Sequence, residues 1–170
     1  MKILITYYST TGNTEAVAKA INEALAGEEV TLKKVEEVDP SGLKSYDLVL
    51  LGSGIYAGRF NKTVKKLLKS TEELPPKVAL FYTHATIDPK TYQPFPRKIR
   101  KILEKGACTI CAEFECLGEN KGGTEEQRQM MLQNLAPEER KKAEEQMQKL
   151  KGHPNAEDLE NAQQFAKSLL

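Results

Sequence analysis

Residues Ser9 to Thr14, "STTGNT", place five hydroxyl or amide side chains around one glycine. The apolar run "KILITYY" (2–8) leads in. A helical pattern follows, with Val17, Ala20, Ile21, Ala24 and Leu25 on one stripe. A strand-to-helix turn presents the unpaired N–H groups and partial positive charge of a helix N-terminus, which favour an anion. Ser9, Thr10, Thr11 and Thr14 add hydroxyl donors, Asn13 adds an amide, and Gly12 permits a tight turn. The chemistry is that of a cradle for one compact phosphate. The lysine of a G-x-x-x-x-G-K-[ST] loop is absent, and so is the G-x-G-x-x-G dinucleotide fingerprint. Hydrogen bonds and the helix dipole would therefore hold the anion without a cation. An ordinary helix cap needs only one or two such residues.

Other chemistries find little to build on. The sequence shows no Ser-His-Asp set and no paired-carboxylate motif. Its three cysteines lie together in "CTICAEFEC". Cys108 and Cys111 have metal-like spacing, but the stretch reads as a strand, where residues three apart face opposite ways. Buried reduced thiols are expected instead, since the two histidines are far away in sequence. The formal net charge of +1, with no isolated basic block, argues against a nucleic-acid surface. No apolar run approaches the ~20 residues a membrane span needs. The N-terminal stretch has no small-residue cleavage site after it, so a soluble cytoplasmic protein is expected.

The elements that must position the cradle alternate along the chain. Strands are expected at 2–8, 29–35, 47–53, 77–83 and 107–118. Helices are expected from Thr14 to about Ala26, over 61–70 and over 95–106. A short helix is expected to hide in "EEVDPSGLKSY". This alternation predicts a parallel sheet with helices on both faces. Ligands in that architecture bind beyond the carboxyl ends of the strands, so the loops starting at Ser9, Ser53, Thr83 and Leu117 matter most. Residues 119–152 break the alternation with charged helices that separate near Ala136 and Pro137. A last helix follows Asn155, with Asp158 at the capping-box position. At 170 residues a single domain, 1–170, with a helical insertion at about 119–152 is expected.

The segment "YYSTTGNTEAVAKAI" resembles the flavodoxin phosphate loop: an aromatic, Ser/Thr, Gly, a spacer, Thr and an apolar helix. The resemblance continues through "LLGSGIYAGRFNKTVKKLL" and "LFYTHAT", over roughly 1–118 and the last helix. It implies a three-layer α/β sandwich with five parallel strands in order 2-1-3-4-5, and FMN held without a covalent link. It further implies that Ser9, Thr10, Thr11, Gly12, Asn13 and Thr14 hold the phosphate. Ser53, Gly54, Ile55, Tyr56, Ala57 and Gly58 then surround the isoalloxazine ring, with Tyr56 against one face. Gly58 or the Tyr56–Ala57 peptide is the candidate to bond the flavin N5. Thr83, His84 and Ala85 would contact the pyrimidine side, and His84, Ile87 or Tyr92 would cover the second face.

Two departures from flavodoxins stand out. Flavodoxins are strongly acidic, whereas this chain is nearly neutral, with Arg59, Lys62, His84 and Lys90 near the flavin loops against Asp88 and Glu119. The insertion carries Met130, Met131 and Met147, three of the chain's four methionines, and reads either as a lid or as packing. The leading expectation is an electron-transfer flavoprotein serving redox partner proteins. A second is an FMN-dependent reductase or oxidase of a quinone or tetrapyrrole, since "GIYAGRFNKTVKKLL" also resembles menaquinone-dependent protoporphyrinogen oxidases. A third is a flavin-free binding module.

Overall fold

The computed structural model describes residues 1–170. Five parallel strands form its sheet: β1 (Lys2–Tyr8), β2 (Glu29–Lys34), β3 (Leu48–Tyr56), β5 (Lys77–His84) and β6 (Thr109–Leu117). They lie in the order β2-β1-β3-β5-β6, which is the expected 2-1-3-4-5 path. A sixth strand, β4 (Arg59–Phe60), pairs antiparallel with the end of β3. Sequence patterning predicts a loop there. The structure instead makes a two-residue hairpin whose tip, Ala57 and Gly58, takes positive φ at both positions (48° and 72°). Such turns match the twist of the strands they join.

The helices are α1 (Asn13–Ala24), α2 (Lys62–Ser70), the single turn α3 (Pro89–Tyr92), α4 (Arg97–Lys105), α5 (Glu125–Gln133), α6 (Pro137–Leu150) and α7 (Ala156–Lys167). The short helix expected between β2 and β3 is two 3-10 turns, Val35–Glu37 and Pro40–Ser45. Asn61 caps α2 by accepting from Thr63 N–H. Asn155 and Asp158 form the expected reciprocal capping box on α7.

Two apolar layers sandwich the sheet. On one face Val17, Ile21, Ala162 and Ala166 of α1 and α7 meet Ile3, Ile5, Leu50 and Phe81. On the other, Val64, Leu67, Ile99 and Leu103 of α2 and α4 meet Leu4, Leu51 and Leu80. β3 and β5 are buried almost end to end, as central strands covered on both faces must be.

β6, at the sheet edge, departs from a clean alternation. Its register slips opposite Val78 and Ala79, leaving Cys111 as the extra residue. This corrects the expectation of three buried thiols: Cys108 and Cys116 are buried, but Cys111 is exposed. Burial raises the Cys108 thiol to about 11 and pushes Cys116 further up. No helix is long and apolar enough to cross a membrane.

Candidate functional site

The carboxyl ends of β1, β3, β5 and β6 converge on a cavity of about 290 Å³. Eleven of the fifteen residues singled out from sequence line it: Ser9, Thr10, Thr11, Asn13, Thr14, Gly54, Ile55, Tyr56, Thr83, His84 and Ala85. Segments at the carboxyl ends of three separate strands thus meet at the switch point, because the sheet reverses its winding between β1 and β3.

The other four residues serve the scaffold around the cavity. Gly12 is the N-cap of α1 with φ of 91°, a conformation glycine adopts without steric penalty. Ser53 is fully buried; its hydroxyl donates to the Gly54 carbonyl at 2.6 Å and accepts Asn61 N–H at 3.0 Å. That bond ties the end of β3 to the start of α2. Ala57 and Gly58 form the hairpin tip beyond the cavity wall.

No side chain caps α1. Its first-turn N–H groups therefore remain available, since such groups have no intrahelical acceptor. Ser9 Oγ accepts Gly12 N–H at 3.1 Å, which fixes the turn and leaves the Ser9 hydroxyl hydrogen free. Below it, the Thr14 and Thr83 hydroxyls are 2.8 Å apart and buried. One proton joins that pair, so the other remains for a further acceptor. Asn13 donates through Nδ2 to the Glu119 carbonyl at 2.8 Å, while its Oδ1 is buried without a partner.

Tyr56 folds back over Gly54, where an added Cβ would stand 2.9 Å from the tyrosine oxygen. Its oxygen accepts the Thr10 N–H at 3.1 Å and lies 2.9 Å from Thr10 Oγ1. The ring meets Tyr8 edge-on at 5.6 Å. Tyr56 thereby links the end of β3 to the loop after β1 and engages Thr10. Nothing in the sequence pattern signals that bond.

His84 ends β5 rather than lying in a loop. Its side chain is 1% exposed, and Nε2 lies 2.6 Å from Glu115 Oε2. Nδ1 is buried without a partner. Tyr92 stacks on the imidazole at 4.2 Å. Burial, followed by the charge of Glu115, raises the Tyr92 phenol. Of the three candidates for a second ring face, His84 alone lines the main cavity. Ile87 and Tyr92 line, with His84 and Glu115, an adjoining cavity of about 280 Å³.

The segment after β6 completes the wall. Gly118, Glu119, Asn120 and Gly122 line the cavity; of these, only Glu119 is placed near the flavin loops by sequence. The carboxyl-end rule is the signal that points there. Glu119 is the only carboxylate on the lining; Arg59, Lys62, Lys90 and Asp88 are not on it. The basic surroundings expected from sequence are thus set back from the cavity.

A family model described as a flavodoxin domain matches residues 4–167. An uncharacterized protein of Methanocaldococcus jannaschii is 30% identical over the whole of this chain and 99% of its own length. A flavodoxin-like domain-containing protein, BilS, of Clostridioides difficile is 29% identical over all of this chain and 97% of its own. Among solved structures, oxidised Flavodoxin 2 of Bacillus cereus is similar with a TM-score of 0.64, at 25% identity over 98% of this chain and 95% of that one. A flavoprotein of Lactobacillus acidophilus in complex with FMN reaches a TM-score of 0.54, at 20% identity over 67% of this chain and 92% of that one.

Proposed function

The chain belongs to the flavodoxin family, and from that premise we propose that it binds FMN without a covalent link and carries electrons between redox proteins. The observation that carries this reading is the uncapped N-terminus of α1 opening on a cavity lined by hydroxyls and amides. The donor set fits a phosphate monoester: helix N–H groups, Ser9, Thr11 and the spare Thr14/Thr83 hydroxyl proton, with no cation required. The unpartnered Asn13 Oδ1 and His84 Nδ1 belong to residues on that lining and suit a ligand that also carries hydrogen-bond donors.

FMN, when bound, supplies reversible one- and two-electron chemistry. The residues hold and orient it. Tyr56, Gly54 and Ile55 offer the apolar wall for its ring, while Thr83, His84 and Ala85 offer the polar one. Glu115 keeps a proton on His84 Nε2 and so fixes the ring orientation. His84 Nδ1 then accepts a hydrogen bond when the imidazole is neutral and donates one when it is charged.

A second reading, an FMN-dependent reductase of a small acceptor, is favoured by a larger cavity that adjoins the first and shares Ala85 and Glu119 with it.

The test is titration of purified protein with FMN, followed by flavin fluorescence, for the parent chain and for Gly12→Val. Saturable quenching in the parent, lost in Gly12→Val, is expected, because valine resists the positive φ of the turn. Absence of saturable binding in the parent would overturn the cofactor. A reductive titration of the loaded protein then separates the two readings: two one-electron stages support the carrier, and a single two-electron stage supports the reductase.

A further inference from the structure

The helices of the 119–152 segment stand off the body of the protein. α5 has no buried residue, and α6 buries only Leu150. Polar bonds at its feet and rim hold the segment in place. Gln146 Nε2 donates to the Ala85 carbonyl at 2.8 Å, Gly152 N–H donates to Glu119 Oε2 at 3.1 Å, and Glu119 N–H donates to the His153 carbonyl at 2.8 Å. Between those struts lies a cavity of about 520 Å³, within the range of small-ligand sites.

Ala85, Glu119, Asn120 and Gly122 line both this cavity and the cradle, so the two spaces adjoin. Its apolar wall is Met131, Leu132, Ala143, Met147 and Leu150. Thioether side chains are polarizable and adapt to flat conjugated faces. Gln127, Gln146 and Gln148 bring amide groups, and Lys151, which has no ion pair, brings an ammonium. Those are donors for carbonyl oxygens. The charged lining balances: Arg128 and Lys151 against Glu119 and Glu125, two of each sign. Arg128 is neutralised locally by Glu125 at 3.1 Å. A neutral ligand matches this lining better than a dicarboxylate.

We propose that the cavity beneath the α5–α6 hairpin is a second binding site, for a neutral, planar, conjugated dicarbonyl of the quinone class, held beside the FMN cradle. The placement beside a cofactor rests on the reading that FMN occupies the cradle; the site itself does not.

The four methionines of the chain make the test direct. Met131 and Met147 line the cavity, while Met1 and Met130 do not. Full-length protein carrying 13C-methyl methionine is titrated with 2,3-dimethyl-1,4-naphthoquinone, with and without FMN. This quinone lacks a free ring position for addition to the exposed Cys111. Saturable shifts of the Met131 and Met147 methyls are expected in both titrations, with Met1 and Met130 unmoved. Ala143→Trp, which fills the cavity, should abolish the shifts; Lys151→Ala should weaken binding without altering the spectrum of the free protein. Equal shifts of all four methyls, no saturation, or survival of the response in Ala143→Trp would overturn the site. Selective response to a dicarboxylic porphyrin but not to the quinone would overturn the ligand class. If FMN fails to bind while the methyl response persists, the cofactor reading falls and the site stands.

Discussion

The sheet body and the α5–α6 hairpin are built on opposite plans. In the body, two apolar layers cover a sheet whose central strands are almost wholly buried. In the hairpin, a single leucine is buried, Met130 and Met131 are 65% and 49% exposed, and the attachments are hydrogen bonds. The body draws its stability from area removed from water, at roughly 25 cal/mol per Å². The hairpin gains little from that source, because a typical hydrogen bond contributes only about 1 kcal/mol net. Global stability and the geometry over the second cavity are therefore separable, and substitutions should sort by region.

The largest effect should come from Phe81, fully buried with its ring against Gly52, where an added Cβ would stand 2.2 Å away. Phe81→Ala should lower the unfolding free energy by about 3 to 5 kcal/mol, read from the urea midpoint. A loss below about 1 kcal/mol would show that the apolar layers do not dominate.

Alkali should act next, again on the body. Burial, aided by Glu113 and Glu115, pushes the Tyr82 phenol up to about 12, and burial raises the Cys108 thiol to about 11. Unfolded thiols and phenols release their protons near pH 8.5 and about 10. Between the unfolded and folded values the unfolded state holds fewer protons, so the stability is fully present at lower pH and is lost as pH rises toward 12. The tyrosine contributes on the order of 2 to 3 kcal/mol to that loss. A urea midpoint unchanged between about pH 8 and 11 would contradict it.

A smaller change is expected at the junction of the two regions. Asn155→Ala removes the cap of α7, which packs on α1, and should cost about 1 kcal/mol by urea unfolding. Smallest of all, Met130→Ser combined with Met131→Ser should move global stability by no more than about 0.5 kcal/mol. A drop comparable to that of Phe81→Ala would erase the distinction between body and hairpin.

By itself, the sequence determined the alternating elements, the parallel sheet and its helical layers, because hydrophobic period and capping residues are local signals. Val17 and Ile21 on α1, the apolar run through Leu48–Leu51, and the Asn155/Asp158 cap all behave as their spacing demands. Most of the cradle was legible for the same reason, since Ser9–Thr14 is one contiguous helix N-terminus. The tertiary structure decided what depends on residues distant in the chain. Asn13 meets Glu119 across 106 positions, Tyr56 bonds Thr10 across 46, and His84 faces Glu115 across 31. No periodicity reports such contacts; they exist because parallel strands bring their carboxyl ends to one edge. The same holds for Cys111, which a slip in the β5–β6 register turns outward. It holds also for the second cavity, which forms only once the α5–α6 hairpin returns over the edge of the sheet.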